Sequence, residues 1–251
     1  MNRYTYNASD DDLVAWNSNF TSRIGDGSGD PEEDYLSALR IVAASKPDAA
    51  ILEIGCGLGR IIRVMNHAGA IVGLEPDTER FQASHASLHD GERLQILNCT
   101  STQYKSNHPQ QRFGIVVVSM VIQHVPTTTC EQILRDVHDL LAADGLAVVA
   151  TTQQDEERFT YQADQTHRSV DEFDAYAVES SSQTCGIPVR QFSKTSFLAA
   201  LDRSGLSVVR WGQFSYLRPE KVAWFAKWMG SRPGAIQDVA SSQYAILKRA
   251  A

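Results

Sequence analysis

Glu53-Ile54-Gly55-Cys56-Gly57-Leu58-Gly59-Arg60-Ile61 is the stretch on which the reading of this 251-residue chain turns. It follows a short apolar run, Ala50-Ile51-Leu52, and leads into an amphipathic one, Ile61-Ile62-Arg63-Val64-Met65-Asn66-His67-Ala68. Strand, glycine turn, helix is the arrangement that brings a backbone close to a charged nucleoside ligand. Glycines at 55 and 57 permit a tight turn and close approach, and Gly59 lets the helix pack onto the strand. Twenty residues after Gly55 stands Glu75, at the end of a second apolar run, Ala70-Ile71-Val72-Gly73-Leu74. A carboxylate there can accept both hydroxyl protons of a ribose.

Working outward, the pattern alternates. Strands are expected at 50–54, 70–75, 93–97, 113–119 and 145–151, with helices at about 59–68, 77–89 and 127–142. The central runs Ile115-Val116-Val117-Val118 and Leu146-Ala147-Val148-Val149-Ala150 are continuously apolar, as parallel strands covered on both faces should be. The fold class is therefore α/β, a doubly wound sheet whose ligand site lies at the carboxyl ends of its strands. A helix is expected from about Glu32 to Ala44 before the first strand, and another from about Lys194 to Ser204. A strand at Leu206–Trp211 and a final one at Gln243–Lys248 close the chain. Residues 1–34 read as a separate polar, acidic segment with Leu13, Trp16 and Phe20 at helical spacing. Residues 35–251 form the main domain, with insertions at about 152–190 and 216–240. The first insertion is polar, with no sheet-like run, and carries Phe159, Tyr161, Phe173 and Tyr176; the second carries Trp224, Phe225 and Trp228.

Composition narrows the function classes. The hydrophobic fraction is 43% and the charged fraction 21%, enough for one substantial core. Net charge is −7 with no dense Lys/Arg cluster, so a nucleic-acid partner is not expected. No apolar window is long enough to span a membrane, the N-terminus lacks an apolar signal core, and the four cysteines show no Cys-x-x-Cys pairing. A reduced, cytoplasmic protein follows as the expectation. No histidine or cysteine grouping completes a metal site, and no Gly-x-Ser-x-Gly elbow supplies a hydrolase nucleophile. His67, His85, His89 and His138 fall on expected helices and read as surface residues.

Dinucleotide binders place a third glycine three residues after the second, at position 60, where this chain has Arg60. The pattern Glu-x-Gly-x-Gly-x-Gly instead resembles the first motif of class I S-adenosylmethionine-dependent methyltransferases. The resemblance implies a seven-stranded, mostly parallel sheet with an antiparallel last strand, the N-terminal helical segment and the insertions forming a lid. It also implies S-adenosyl-L-methionine as cofactor. Gly55, Cys56, Gly57 and Gly59 would meet the cofactor's methionine part, Glu53 acting through water or by bracing the loop. Glu75 would hold the ribose and Pro76 would lie against the adenine.

One position departs from the family pattern. An aspartate commonly follows the third strand and accepts the adenine amino hydrogens; here Leu97-Asn98-Cys99-Thr100 puts a thiol there. A thiol is a weak acceptor, so Cys99 reads as a packed filler, with Asn98, the Thr100 hydroxyl or a backbone group left to meet the adenine. After the fourth strand, Ser119 and Met120 would reach the cofactor's amino end and the floor between cofactor and substrate. His124 is the candidate general base, with bracing of its own loop as the competing reading. Trp16, Phe20, Tyr161 and Tyr176 are the candidate substrate wall. The expected function is methyl transfer to a small-molecule acceptor by a monomer or homodimer. The alternatives are a nicotinamide-dependent oxidoreductase and a non-catalytic nucleoside-binding protein of the same fold.

Overall fold

The computed structural model describes residues 33–65, 67–88, 93–161, 166–178, 188–215 and 241–250. Strands β1 (Ile51–Ile54), β2 (Ile71–Leu74), β3 (Leu94–Leu97), β4 (Phe113–Ser119), β5 (Leu141–Thr152), β8 (Leu206–Ser215) and β9 (Ser241–Arg249) form one sheet. Its order is β3-β2-β1-β4-β5-β9-β8. All neighbours through β5 are parallel, and β9 enters antiparallel between β5 and β8. This is the expected doubly wound sheet with its reversed last strand.

Parity along the strands explains the core. In β4, Val116 and Val118 face one layer while Ile115 and Val117 face the other, and all four are buried. The first layer holds α4 (Ser101–Asn107), α5 (Thr127–Leu140) and α7 (Lys194–Arg203), with Tyr104, Leu134, Val137 and Phe197 packed on the sheet. The second holds α1 (Glu33–Ser45) and α2 (Arg60–Met65), with α3 (Thr78–Leu88) packed at its margin through Phe81 and Leu88. A strand covered on both sides has no polar face to alternate, hence the continuous apolar runs.

Helix α1 is fixed to the β8–β9 edge by polar and aromatic contacts together. Tyr35 is fully buried and stacks on Phe214 with ring centroids 4.6 Å apart. Next to it, Asp34 accepts a hydrogen bond from the Tyr244 hydroxyl at 2.8 Å and pairs with Arg210.

Three expectations need correction. Helix α4 lies between β3 and β4, where none was expected; its sequence has one apolar anchor, Tyr104, and it is held by a Thr100/Gln103 capping box. The first insertion does contain sheet: β6 (Arg158–Tyr161) pairs antiparallel with β7 (Pro188–Gln191), and α6 (Val170–Val178) packs beside them. Finally, His67 lies beyond the end of α2 and is buried, its Nε2 2.6 Å from the Ala49 carbonyl. Histidine's flat ring fills that joint while its nitrogen satisfies a carbonyl the strand cannot reach.

Candidate active site

The loop after β1 is shaped by its glycines: Gly55, Gly57 and Gly59 all have positive φ (71°, 52° and 76°). Gly55 and Cys56 both donate to the Leu74 carbonyl, tying the loop to the end of β2. A Cβ on Gly57 would meet nothing within 4 Å, so the chain leaves open space where it runs closest to the strand ends. Cys56 faces inward and is buried, and burial raises its thiol well above the ordinary value.

Two carboxylates flank this loop in different ways. Glu75 is buried and fully engaged: Oε2 accepts from the Gly57 N–H at 2.8 Å and Oε1 from the Asp77 N–H at 3.0 Å. Desolvation outweighs these bonds and raises its pKa. Glu53 shares the strand face of Ile51, so it points into an apolar layer. Its Oε2 has no hydrogen-bond partner among the described residues. Burial pushes its pKa up to about 8, against the opposing pull of Arg60.

Beside the loop lies a cavity of about 260 Å³ at the carboxyl ends of β1, β2 and β3. Of the residues expected to hold a cofactor, Gly55, Glu75, Pro76, Cys99 and Thr100 line it. Glu53, Cys56, Gly57, Gly59, Asn98, Ser119 and Met120 are not part of its lining. Asn98 stands behind the wall, its Nδ2 donating to the Glu75 and Pro76 carbonyls. Cys99 is half-buried, and desolvation raises its thiol. Sequence reasoning missed the opposite wall, which comes from α4 (Ser101, Thr102) and from α5 (Thr128, Thr129, Gln132, Ile133). The threonine run at 127–129 was the signal available.

At the end of β4, Ser119 accepts a hydrogen bond from the buried Tyr35 hydroxyl at 2.8 Å. Met120 follows with φ 57°, a left-handed conformation that a non-glycine residue adopts at a cost of about 1–3 kcal/mol. Beyond it a 3-10 turn, Ile122–His124, carries the candidate base. His124 is held from both ring nitrogens: Nδ1 lies 2.8 Å from the Pro188 carbonyl and Nε2 3.2 Å from Gln123 Nε2. A carbonyl accepts only, so Nδ1 carries the proton and Nε2 accepts from the amide. Desolvation lowers the ring's pKa to about 4, so it is neutral across the physiological range. Both nitrogens are occupied, and His124 is not part of the cavity lining.

The substrate-wall residues scatter. Tyr161 is buried inside the insertion, its ring under Arg168 at 5.2 Å and its hydroxyl 3.5 Å from the Glu172 carbonyl. It does not line the cavity. Trp16, Phe20, Trp224, Phe225, Trp228 and the Tyr176 side chain lie outside the described residues. Among the described residues no group of three or more His, Cys, Asp or Glu could hold a metal ion, and no helix is long and apolar enough to cross a membrane.

Residues 52–147 match the family profile of a methyltransferase domain. The chain is similar to the ubiquinone biosynthesis O-methyltransferase of Bradyrhizobium diazoefficiens, at 28% identity over 110 residues. That match takes in 43% of this chain and 42% of the relative, so the chain spans less than half the length of that curated protein. In fold it is similar to a cyclopropane synthase from Mycobacterium tuberculosis, with a TM-score of 0.60 at 12% identity over 86% of this chain and 84% of the other. A 1,6-didemethyltoxoflavin-N1-methyltransferase from Burkholderia thailandensis, solved with S-adenosylhomocysteine, also gives 0.60 at 12% identity, over 95% of this chain and 87% of the other. The glycine loop and the profile match agree in likening residues 52–147 to a methyltransferase domain, and the sheet with its reversed last strand has the fold of solved methyltransferases.

Proposed function

We propose that the protein transfers a methyl group from S-adenosylmethionine to a small-molecule acceptor. The observation that carries this is the cavity at the strand ends lined by Gly55, Glu75, Pro76, Cys99 and Thr100, with Glu75 also holding the Gly57 N–H of the adjoining glycine loop. Gly57 leaves room for a ligand at the backbone, and its N–H is held by the carboxylate that would receive a ribose. When bound, the cofactor supplies an electrophilic methyl group on a sulfonium centre.

The protein's own work is then positional. Glu75, Pro76, Cys99 and Thr100 would hold the nucleoside end, and the Glu53–Gly59 loop, Ser119 and Met120 the amino-acid end. Orientation and water exclusion can contribute ~7–11 kcal/mol to such a reaction without covalent help. We assign His124 to bracing: with a pKa of about 4 and both nitrogens occupied, it is a poor proton acceptor at neutral pH. The cover over the acceptor we assign to residues 1–34, including Trp16 and Phe20, and to the 152–190 insertion, whose β7 packs on the 3-10 turn. The free thiols of Cys56, Cys99 and Cys130 support a reduced, cytoplasmic setting, with a monomer or homodimer as the working unit.

Calorimetry with S-adenosylhomocysteine and with NAD tests the donor. The expected result is binding of the first and little or none of the second, and the reverse would overturn the reading. Methyl-labelled cofactor incubated with a metabolite pool then finds the acceptor. Deleting residues 1–20 should leave cofactor binding intact and stop transfer; full activity after the deletion would remove the N-terminal segment from the cover.

A further inference from the structure

The cavity wall formed by α4 and α5 is organised around a charge that faces away from the cavity. Asp136 is completely buried. Its Oδ2 accepts from the Ser101 hydroxyl at 2.8 Å and the Thr102 hydroxyl at 2.7 Å, and its Oδ1 from Gln132 Nε2 at 2.9 Å. Lys105 Nζ lies against Oδ1 and also bonds Asp139 at 2.9 Å. Ser101, Thr102 and Gln132 all line the cavity, directly beside Cys99.

We propose that Asp136 is a positioning residue that makes Ser101, Thr102 and Gln132 the acceptors for the adenine amino group, in place of the carboxylate this chain lacks at Cys99. The proposal rests on the cofactor reading above. Both hydroxyls donate to Asp136 Oδ2, and a hydroxyl has a single proton. Ser101 and Thr102 therefore spend their protons on Asp136 and can offer the cavity only oxygen lone pairs. Gln132 has its amide nitrogen anchored on the same carboxylate, so its oxygen, which also accepts from Arg135 Nη2 at 3.4 Å, is the end with a lone pair to offer.

The other groups near the adenine position are already engaged or weak. Asn98 donates its amide protons to the loop after β2. The Thr100 hydroxyl accepts the Gln103 N–H as the cap of α4. The Cys99 sulfur is a poor acceptor.

The test compares the affinities of S-adenosylhomocysteine and of its purine-riboside counterpart, which differs only in lacking the amino group. The wild-type protein should prefer the amino form by tenfold or more. Thr102→Val, which keeps the side-chain shape, and Asp136→Asn, which frees the hydroxyl protons to turn toward the cavity, should each reduce that preference to threefold or less. Glu75→Gln is the control: it should weaken both ligands alike and leave their ratio unchanged. A wild-type ratio near one, or a ratio that survives both wall variants, would overturn the proposal. If neither compound binds the wild-type protein, the cofactor reading fails, and this proposal falls with it. A purely structural role for Asp136 would lower stability and both affinities without moving the ratio.

Discussion

The loop region around β1–β3 and the insertion between β5 and α7 differ in what their polar groups are used for. In the first, backbone N–H groups and carboxylates converge on a cavity, and one buried oxygen, Glu53 Oε2, is left unmatched. In the second, polar groups are spent on one another: Arg190 pairs with Glu157 and lies over the rings of Phe159 and Phe192, and Phe159 packs on Phe173. The first region leaves room beside its polar groups, and the second packs its polar groups largely on one another. Among the described residues, the insertion also makes two hydrogen bonds beside the cavity wall. The His124 ring reaches the Pro188 carbonyl of β7, and Asp174 of α6 accepts from the Thr127 N–H, capping α5 from outside. Since α5 supplies four residues of the cavity wall, the insertion helps hold the wall without being part of it. An open ligand site thus borrows rigidity from a closed neighbour.

The largest expected effect is at Gly57. Gly57→Val meets no steric obstacle in the free protein, but it fills the open approach and puts a β-branched residue at φ 52°. Cofactor affinity should fall by more than a hundredfold, with folding weakened by about 1–3 kcal/mol. Calorimetry and thermal melts separate the two, and an unchanged dissociation constant would erase the contrast between the regions. Next, Glu75→Ala removes the acceptor of two backbone N–H groups and of the ribose. Charge-assisted hydrogen bonds contribute about 1.5–3 kcal/mol, which predicts roughly a 10- to 100-fold loss of affinity.

Phe173→Ala probes the other region. It empties a fully buried site in the insertion, where Phe→Ala changes cost about 3–5 kcal/mol in a well-packed core. Turnover should drop about tenfold while the cofactor dissociation constant stays within about threefold, on the expectation that the insertion acts on the acceptor side. A parallel collapse of cofactor affinity would show the two regions to be one unit.

Much of this architecture is legible in the sequence, for reasons that also mark where legibility ends. The Glu53–Gly59 loop and Glu75 stand out because backbone approach demands glycine and a ribose demands a carboxylate, and neither has common substitutes. The runs Ile115–Val118 of β4 and Leu146–Ala150 of β5 stand out because double-sided burial leaves them no polar residues. Helix α4, in contrast, is seven residues of Ser-Thr-Gln-Tyr-Lys-Ser-Asn, stable only through its capping box and its contact with α5. Strands β6 and β7 have four residues each, and β7 starts with proline, so neither offers a period to read. The α4–α5 cavity wall is made of threonines and glutamine whose meaning lies in what Asp136 does to them, and that is visible only in three dimensions.

Smaller effects follow from the two shifted groups. Glu53 has a folded pKa near 8, above its unfolded value, so the folded state holds the extra proton. Stability should therefore decline as pH rises toward 8, by ~1–2 kcal/mol between about pH 6.5 and 8. Glu53→Gln should flatten much of that slope in denaturant titrations. A slope unchanged in the variant would assign it to other groups, Glu75 first. The smallest effect is expected at His124. Its lowered pKa means that stability falls as pH drops from about 6.5 through 4, when the ring must take a proton between two occupied contacts. His124→Ala should reduce turnover only a few-fold and leave the neutral part of the pH–rate profile unchanged; a loss of a hundredfold would restore it as the base.

The reversed strand β9 has a consequence for how the chain is made. Among the described residues, strand β8 pairs with no strand but β9, and β5 has β9 as its outer neighbour. The sheet therefore has an open seam from the time β5 leaves the ribosome until residues 241–249 emerge, some ninety positions later. At ribosomal speeds of about 5–20 residues per second, that is on the order of 5–20 s with the edge of β5, apolar from Leu146 to Ala150, unsealed. During this interval the nascent domain holds its glycine loop and three of its ligand-bearing strand ends in finished form while remaining vulnerable to edge pairing with another chain. Synthesis of this chain is thus a race to the last strand, and a slow stretch of codons between residues 152 and 241 should lower soluble yield more than the same delay placed upstream of β5.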